Sequence, residues 1–98
     1  MAKRGYTYAL KLNQLSDNKG DAFDNPKQLT LEFDNHDEVF DIIERTKSKN
    51  LFNEEESTAF ALGLKLFSEV MLKNRKHPLF EEFAPAFGSF MKKFKSAK

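Results

Sequence analysis

Alternating apolar and polar residues near the N-terminus predict two β-strands. Every second residue from Tyr6 to Leu12 is apolar, and Leu29, Leu31 and Phe33 repeat the pattern. A period of two residues is typical of strands, since successive side chains point to opposite faces. The intervening residues 16–27 are rich in Asp, Asn, Gly and Pro, which indicates a polar loop too short for a crossover helix. We therefore expect an antiparallel hairpin.

Capping signals predict the start of a first helix after the second strand. Asn35 is followed three positions later by Glu38, the spacing of a capping box, so Asn35 is the expected N-cap. Apolar residues from Val39 to Ile43 supply one helix face, and Asn50 is a suitable stop. The pattern predicts a helix of about 14 residues.

The same capping signal recurs before a second, longer helix. Asn53 is the expected N-cap and Glu56 occupies the third helical position. The helix should run to about Asn74 or Lys76, because the residue before Pro78 disfavours helical backbone. Its apolar residues are too many for one stripe, which indicates a central helix contacted by several neighbours.

A phenylalanine stripe marks the third helical segment. The spacing of three and four residues places five rings on one helix face: Phe80, Phe83, Phe87, Phe90 and Phe94. Pro85 predicts a kink or a short turn before a helix that restarts near it. The element order β-β-α-α-α is an α+β fold, with the helices expected on one face of the hairpin and residues 1–98 forming one domain.

The apolar pattern also predicts which side chains form the core. We expect five residues of the second and third helices to be buried, namely Phe67, Val70, Phe83, Phe87 and Phe90. Four strand residues should face them: Leu10, Leu12, Leu31 and Phe33. Core packing is the first interpretation of the phenylalanine stripe, a subunit interface the second, and an amphipathic helix on a membrane the last.

Composition narrows the class of protein. The chain has 98 residues, 40% of them hydrophobic, and it contains no cysteine. Disulfides, thiolate nucleophiles and cysteine zinc sites are therefore excluded. The N-terminal residues lack the apolar stretch of a signal peptide, and no segment has the ~18 uninterrupted apolar residues of a membrane span. We expect a cytoplasmic protein without a membrane partner.

The sequence contains no recognisable catalytic, metal-binding or phosphate-binding motif. His36 and His77 are far apart in sequence and do not share a zinc-binding spacing. The serines and glycines match neither a nucleophile elbow nor a phosphate-binding loop, and the carboxylate pairs fall at helix starts, where the helix dipole favours them. We therefore expect that the protein binds no metal ion and no cofactor and that it is not an enzyme.

Charge is unevenly distributed although the net charge is only +1. Residues 1–15 and 61–98 are basic, whereas residues 16–60 carry twelve acidic and five basic side chains. Two basic clusters are candidate interaction surfaces: Lys73, Arg75, Lys76 and His77 after the second helix, and Lys92, Lys93 and Lys95 in the third. The helix dipole alone favours cations at these positions. The alternative is a shared patch that binds nucleic acid or anions.

Several segments together resemble one small bacterial family. These segments are LEFDNHD at 31–37, FALGLKLFSEVML at 60–72, KNRKHPLFEEF at 73–83 and FGSFMKKFK at 87–95. The family is domain of unknown function 3861, and the resemblance covers nearly the whole chain. The resemblance implies a single bacterial domain. It does not imply a function, a cofactor or any site residue.

The favoured function is that of a non-enzymatic interaction module. Abundant phenylalanine without a catalytic motif favours a homodimer or a protein partner, with nucleic-acid or anion binding as the alternative. A small-ligand pocket lined by phenylalanines is a third class, since ligand pockets are mostly apolar. A two-stranded sheet leaves two open edges, and Lys11 is the single charge in the strand that starts at Tyr6. Pairing of two such edges would give a four-stranded sheet.

Overall fold

The computed structural model describes residues 5–97. Two strands precede three α-helices, with a short 3₁₀ helix before the last one. The elements are β1 (Tyr6–Asn13), β2 (Gln28–Asn35), α1 (Val39–Ser48), α2 (Glu54–Lys73), the 3₁₀ helix (Pro78–Phe80) and α3 (Phe83–Ser96). This order confirms the predicted α+β fold.

Contacts divide the chain into two compact units. The hairpin unit ends at Asp37, and the helical unit begins at Glu38. The assignment of residues 1–98 to one domain, and the packing of the helices on one face of the hairpin, stay predictions.

The two strands pair in the predicted antiparallel register. Tyr6 lies opposite Asn35, and Tyr8 lies opposite Phe33 with its ring stacked at a centroid distance of 5.3 Å. The Gln14 amide donates to the Lys27 carbonyl at 2.9 Å, and the Lys27 amide donates to Gln14 Oε1 at 2.7 Å. This register gathers the tyrosines and leucines on one face of the hairpin, because alternate residues share a face.

The transition from β2 to α1 differs from the prediction. Asn35 is 1% exposed, and its Oδ1 accepts a 3.0 Å hydrogen bond from the Asp37 amide. The N-cap is Glu38, whose carboxylate accepts from the Phe40 amide at 3.2 Å. An asparagine side chain can close an Asx turn as well as cap a helix, and here it turns the chain out of β2. Consequently α1 has 10 residues, fewer than predicted.

The end of α1 and the start of α2 follow the predicted signals. Asn50 has a φ of 56°, and its amide bonds to the Lys47 carbonyl at 3.1 Å, which ends α1. The Asn53 Oδ1 caps α2 by accepting from the Glu56 amide at 2.8 Å. The last helical residue of α2 is Lys73, close to the predicted end.

Packing in the helical unit centres on α1 and α2. Five apolar side chains are buried among the described residues: Val39, Ile43, Ala61, Met71 and Phe80. Ser57 and Ala61 of α2 are fully buried, and small side chains let two helix backbones approach closely. Thr46 of α1 is also fully buried and donates its hydroxyl to the Ile42 carbonyl at 2.8 Å, so its polar group is satisfied.

Most of the predicted core is wrong. In the helices, Phe67, Val70, Phe83 and Phe90 are exposed and Phe87 is half-buried. In the strands, Leu12 and Leu31 are exposed, whereas Leu10 and Phe33 are half-buried. The physical reason lies in α3, which has no buried residue. Its phenylalanines contact rings of α2, yet Phe83 and Phe90 each remain 43% exposed.

Candidate interaction surface

An apolar groove runs between α2 and α3. Phe60 contacts Phe90 and Phe94 with ring centroids 6.1 and 5.1 Å apart, whereas Phe67 contacts Phe83 and Phe87 at 5.7 and 6.1 Å. Residue numbers therefore rise in α2 as they fall in α3, which shows that the two helices are antiparallel.

The phenylalanine groove encloses a volume of about 430 Å³. We define it by its lining: Ala59, Phe60, Gly63, Leu64, Phe67, Phe83, Ala86, Phe87 and Phe90. All of these side chains are apolar, so a bound group finds hydrocarbon and aromatic surface there. The volume lies in the usual range for ligand and interaction pockets.

Small residues keep the groove open. A Cβ atom built on Gly63 would meet no other group within 4 Å. Ala59 and Ala86 are the other small residues of the lining. Gly63 contributes no side chain to the lining, so the space beside it is unfilled. Periodicity predicted the phenylalanine stripe of α3, but it did not predict the residues of α2 that complete the groove. In the sequence these residues are marked by the pattern F-x-x-G-x-x-x-F from Phe60 to Phe67.

Three phenylalanines of the groove remain in contact with solvent. Phe67 is 42% exposed, and Phe83 and Phe90 are each 43% exposed. Exposed aromatic side chains are individually common, but a contiguous group of them marks an interaction site. The groove is therefore the strongest candidate interaction surface of the helical unit.

Opposite charges lie at the two ends of α3. Glu81 and Glu82 directly precede the helix, and Lys92 and Lys93 are in its last turns. All four side chains are exposed. Within residues 5–97 none of them forms an ion pair. The two ends of α3 thus carry opposite charges, and the end that carries Glu81 and Glu82 also lies beside the basic end of α2.

The structure places the two predicted basic clusters at opposite ends of the helix pair. Lys73, Arg75 and Lys76 are exposed at the end of α2, and His77 caps the 3₁₀ helix by accepting from the Leu79 amide at 3.0 Å. The other cluster, with Lys92, Lys93 and Lys95, belongs to the end of α3 that contacts Phe60. Thirteen residues of α2 separate Phe60 from Lys73, a rise of about 20 Å.

The two basic clusters are therefore not joined into one patch. Nucleic-acid or anion binding by either of them stays a prediction.

The apolar face of the hairpin is a second exposed surface. Leu12 is 63% exposed and its register partner Leu29 is 56% exposed. Tyr6 on the same face is half exposed. The opposite face carries Thr7, whose hydroxyl donates to the Asp34 carboxylate at 3.1 Å.

Residues 5–97 contain neither a metal-binding cluster nor a helix that could span a membrane. That part of the chain contains no group of three or more histidine, aspartate or glutamate side chains able to hold a metal ion. His36 Nε2 lies 3.6 Å from an Asp37 carboxylate oxygen, and both side chains are substantially exposed. None of the helices formed by these residues combines the length and apolarity needed to cross a bilayer.

Comparison with known proteins places the chain in a family. Residues 6–96 match DUF3861, a domain of unknown function with a solved structure. A similar crystal structure is that of a protein of unknown function from Pectobacterium atrosepticum, with a TM-score of 0.79 and 36% identity. The match covers 93% of this chain and 97% of that one. A search of curated proteins gave no match. The chain belongs to the DUF3861 family, as the resemblance of its segments predicted.

Proposed function

We propose that the protein is a non-enzymatic interaction module that acts as a twofold homodimer. The observation that carries this proposal is the phenylalanine groove, with three rings more than 40% exposed at its rim. Leaving such a surface in water is unfavourable, because each square ångström of buried apolar area contributes about 25 cal/mol. A partner that covers the groove recovers this contribution.

Symmetry favours a second copy of the chain as the partner. Most soluble oligomers are homo-oligomers, and twofold dimers are the commonest of them. In a twofold interface the same patch is used by both copies, so one groove with an exposed aromatic rim suffices. The apolar lining fits another apolar surface, since it offers a polar partner no side-chain hydrogen bonds.

The hairpin provides a second route to the same function. A two-stranded sheet has two open edges, and edge strands pair readily with other chains. Lys11 is the single charged residue of β1, whereas β2 contains two acidic residues, Glu32 and Asp34. Self-pairing of β2 would bring carboxylates together, so β1 is the better edge for joining two hairpins.

The cellular setting is part of the proposal. A chain without cysteine suits the reducing cytoplasm, where disulfides are rare. We propose that the dimer is cytoplasmic and acts by contacting other proteins through its exposed surfaces.

Size-exclusion chromatography with light scattering tests the proposal. At tens of micromolar the wild-type chain should elute with about twice the 11.4 kDa mass of one chain. Phe90→Gln should shift the protein toward the monomer, because it places an amide in the apolar groove. Phe40→Gln on α1 is the matched control, since Phe40 is 65% exposed outside the groove lining, and it should remain dimeric.

The outcomes distinguish the phenylalanine groove from the hairpin as the dimer interface. A wild-type mass of one chain at that concentration would refute the dimer. If Leu12→Lys in β1 dissociates the dimer and Phe90→Gln does not, the hairpin is the interface and the groove is not. Circular dichroism of every variant checks that helix content is retained.

A further inference from the structure

We infer that β1 pairs antiparallel with β1 of a second copy, with Ala9 on the twofold axis. This inference rests on the proposed homodimer and specifies the contact between its hairpin units. Three features of the hairpin carry it: the direction of the backbone groups of β1, the partners that this pairing gives to the tyrosines and leucines, and the charges of the two edges.

One side of the β1 backbone bonds to β2 and the other side is directed outward. The Gln14 amide donates at 2.9 Å to the carbonyl of Lys27, which lies opposite it when the register is continued by one step. Opposed residues of an antiparallel pair alternate between exchanging hydrogen bonds and not exchanging them. The amide and carbonyl groups of Thr7, Ala9 and Lys11 therefore point to the outer edge. These residues are exposed, and the sheet in the described part of the chain has two strands.

The direction of these groups and the apolar pattern together select the register. Outward-directed residues exchange hydrogen bonds with one another, so odd-numbered residues of β1 lie opposite odd-numbered ones. With the axis at Ala9, Thr7 lies opposite Lys11 of the second copy, and all four apolar residues of the strand lie opposite apolar residues. Moving the axis by one residue in either direction breaks this match, because one end of the apolar series then faces a polar residue.

Each tyrosine lies opposite a leucine in this register. Tyr8 faces Leu10 of the second copy, and Tyr6 faces Leu12. Pairs that do not exchange hydrogen bonds bring their side chains closest, and an aromatic ring beside an aliphatic side chain on a neighbouring strand is stabilising. Tyr6 is 50% exposed and Leu12 is 63% exposed in the single chain, so the pairing removes apolar surface of both from water. The axis is perpendicular to the sheet, and the apolar faces of the two hairpins join.

Charge favours β1 over β2 as the paired edge. Lys11 lies opposite Thr7 of the second copy, whose hydroxyl donates to the Asp34 carboxylate at 3.1 Å. The lysine thus approaches a row of the sheet that contains a carboxylate. Pairing two β2 edges would instead gather the Glu32 and Asp34 carboxylates of both copies along the shared edge, and like charges on neighbouring strands are destabilising.

Amide hydrogen exchange of the wild-type chain tests the pairing. At a concentration where light scattering shows the dimer, the amides of Thr7, Ala9 and Lys11 should have protection factors at least about tenfold higher than those of Thr30 and Glu32. The amides of Thr30 and Glu32 are the internal control, because the same alternation directs them to the outer edge of β2. Dilution toward the monomer should abolish the difference.

A proline substitution tests the same edge by mutation. Proline lacks an amide hydrogen and is tolerated at a sheet edge where that hydrogen would face solvent. Ala9→Pro removes hydrogen bonds across the axis and none to β2, so it should weaken the dimer at least about tenfold. Thr30→Pro makes the same change on the outer edge of β2 and should dimerise as tightly as the wild type. An NOE between the rings of Tyr8 and Phe33 checks that each variant keeps the hairpin.

The outcomes separate this inference from the homodimer on which it rests. A dimeric wild type with unprotected outward amides in β1 would overturn the pairing and leave the homodimer to the phenylalanine groove. Equal dissociation constants for Ala9→Pro and Thr30→Pro, with both hairpins retained, would overturn it as well. In a mixture of labelled and unlabelled chains, NOEs from Tyr8 to Leu10 of the other copy support the register, whereas NOEs between the two Leu10 residues contradict it. A monomeric wild type would overturn both proposals.

Discussion

The Lys49 ammonium donates a 2.8 Å hydrogen bond to the carbonyl oxygen of Ala97, joining the end of α1 to the end of α3. The same ammonium donates to the Lys95 carbonyl at 3.2 Å and lies 5.3 Å from the centroid of the Phe94 ring. Carbonyl groups at a helix C-terminus lack partners within the helix and favour a cation. Lys49 therefore holds the last turn of α3 in place.

Replacing Lys49 by methionine should destabilise the protein by about 1–2 kcal/mol, because the carbonyl groups lose a charged donor while the apolar stem is retained. Denaturant unfolding measures the loss, and hydrogen exchange of residues 93–97 should accelerate selectively. Lys73→Met in the last turn of α2 is the control, with an expected cost below about 0.5 kcal/mol. Equal costs for the two variants would contradict the anchoring role of Lys49.

Gly5 and Gly20 offer a matched test of backbone geometry in the hairpin unit. Both have positive φ, 108° and 88° respectively, but a Cβ atom on Gly5 would lie 2.6 Å from the Asn35 carbonyl oxygen, whereas one on Gly20 would meet nothing within 4 Å. Gly20→Ala should cost about 1 kcal/mol for the backbone conformation. Gly5→Ala should cost at least about 1 kcal/mol more, because the main chain at Asn35 has to move.

Thermal unfolding of the two alanine variants checks this difference. A Gly5→Ala variant as stable as Gly20→Ala would show that the approach to Asn35 is relaxed in solution.

The exposure of the phenylalanines predicts unequal roles in stability. Phe80 is 8% exposed and contacts Phe67 at 6.1 Å, so Phe80→Ala should cost about 3–5 kcal/mol. Phe87 is half-buried in the groove, and Phe87→Ala should cost about 1–2 kcal/mol when measured on the monomer. Urea unfolding at submicromolar protein, where a weak dimer dissociates, gives both values. A larger loss for Phe87 would show that the stripe is core.

Local signals explain what was predictable from the sequence. The Asn53 cap depends on residues within three positions, so the start of α2 followed directly from the capping box. Asn35 carries an equally good signal, but its side chain is used in the turn to Asp37. The two uses of asparagine differ only in the backbone that follows, and that backbone is set by the end of β2.

Coverage of an apolar face is not a local property. The spacing from Phe80 to Phe94 correctly predicted a helical stripe, yet periodicity is the same whether a stripe is buried or half open. Gly63 of α2 and Ala86 of α3 both line the groove, and neither has a side chain large enough to fill the space between the rings. The two residues belong to different helices, so the pattern of either helix alone does not reveal the groove.

Substitution of Gly63 separates monomer stability from dimer formation. Alanine and leucine both have a higher helix propensity than glycine by roughly 0.5–1 kcal/mol, and the space at Gly63 accepts a Cβ atom. Both variants should therefore be at least as stable as the wild type in dilute solution. Gly63→Leu should nevertheless weaken the dimer strongly, because its side chain would occupy part of the groove that the proposed homodimer buries. Gly63→Ala is the control and should retain the dimer. Light scattering across a dilution series gives the two dissociation constants. A Gly63→Leu variant that dimerises as tightly as Gly63→Ala would place the interface outside the phenylalanine groove.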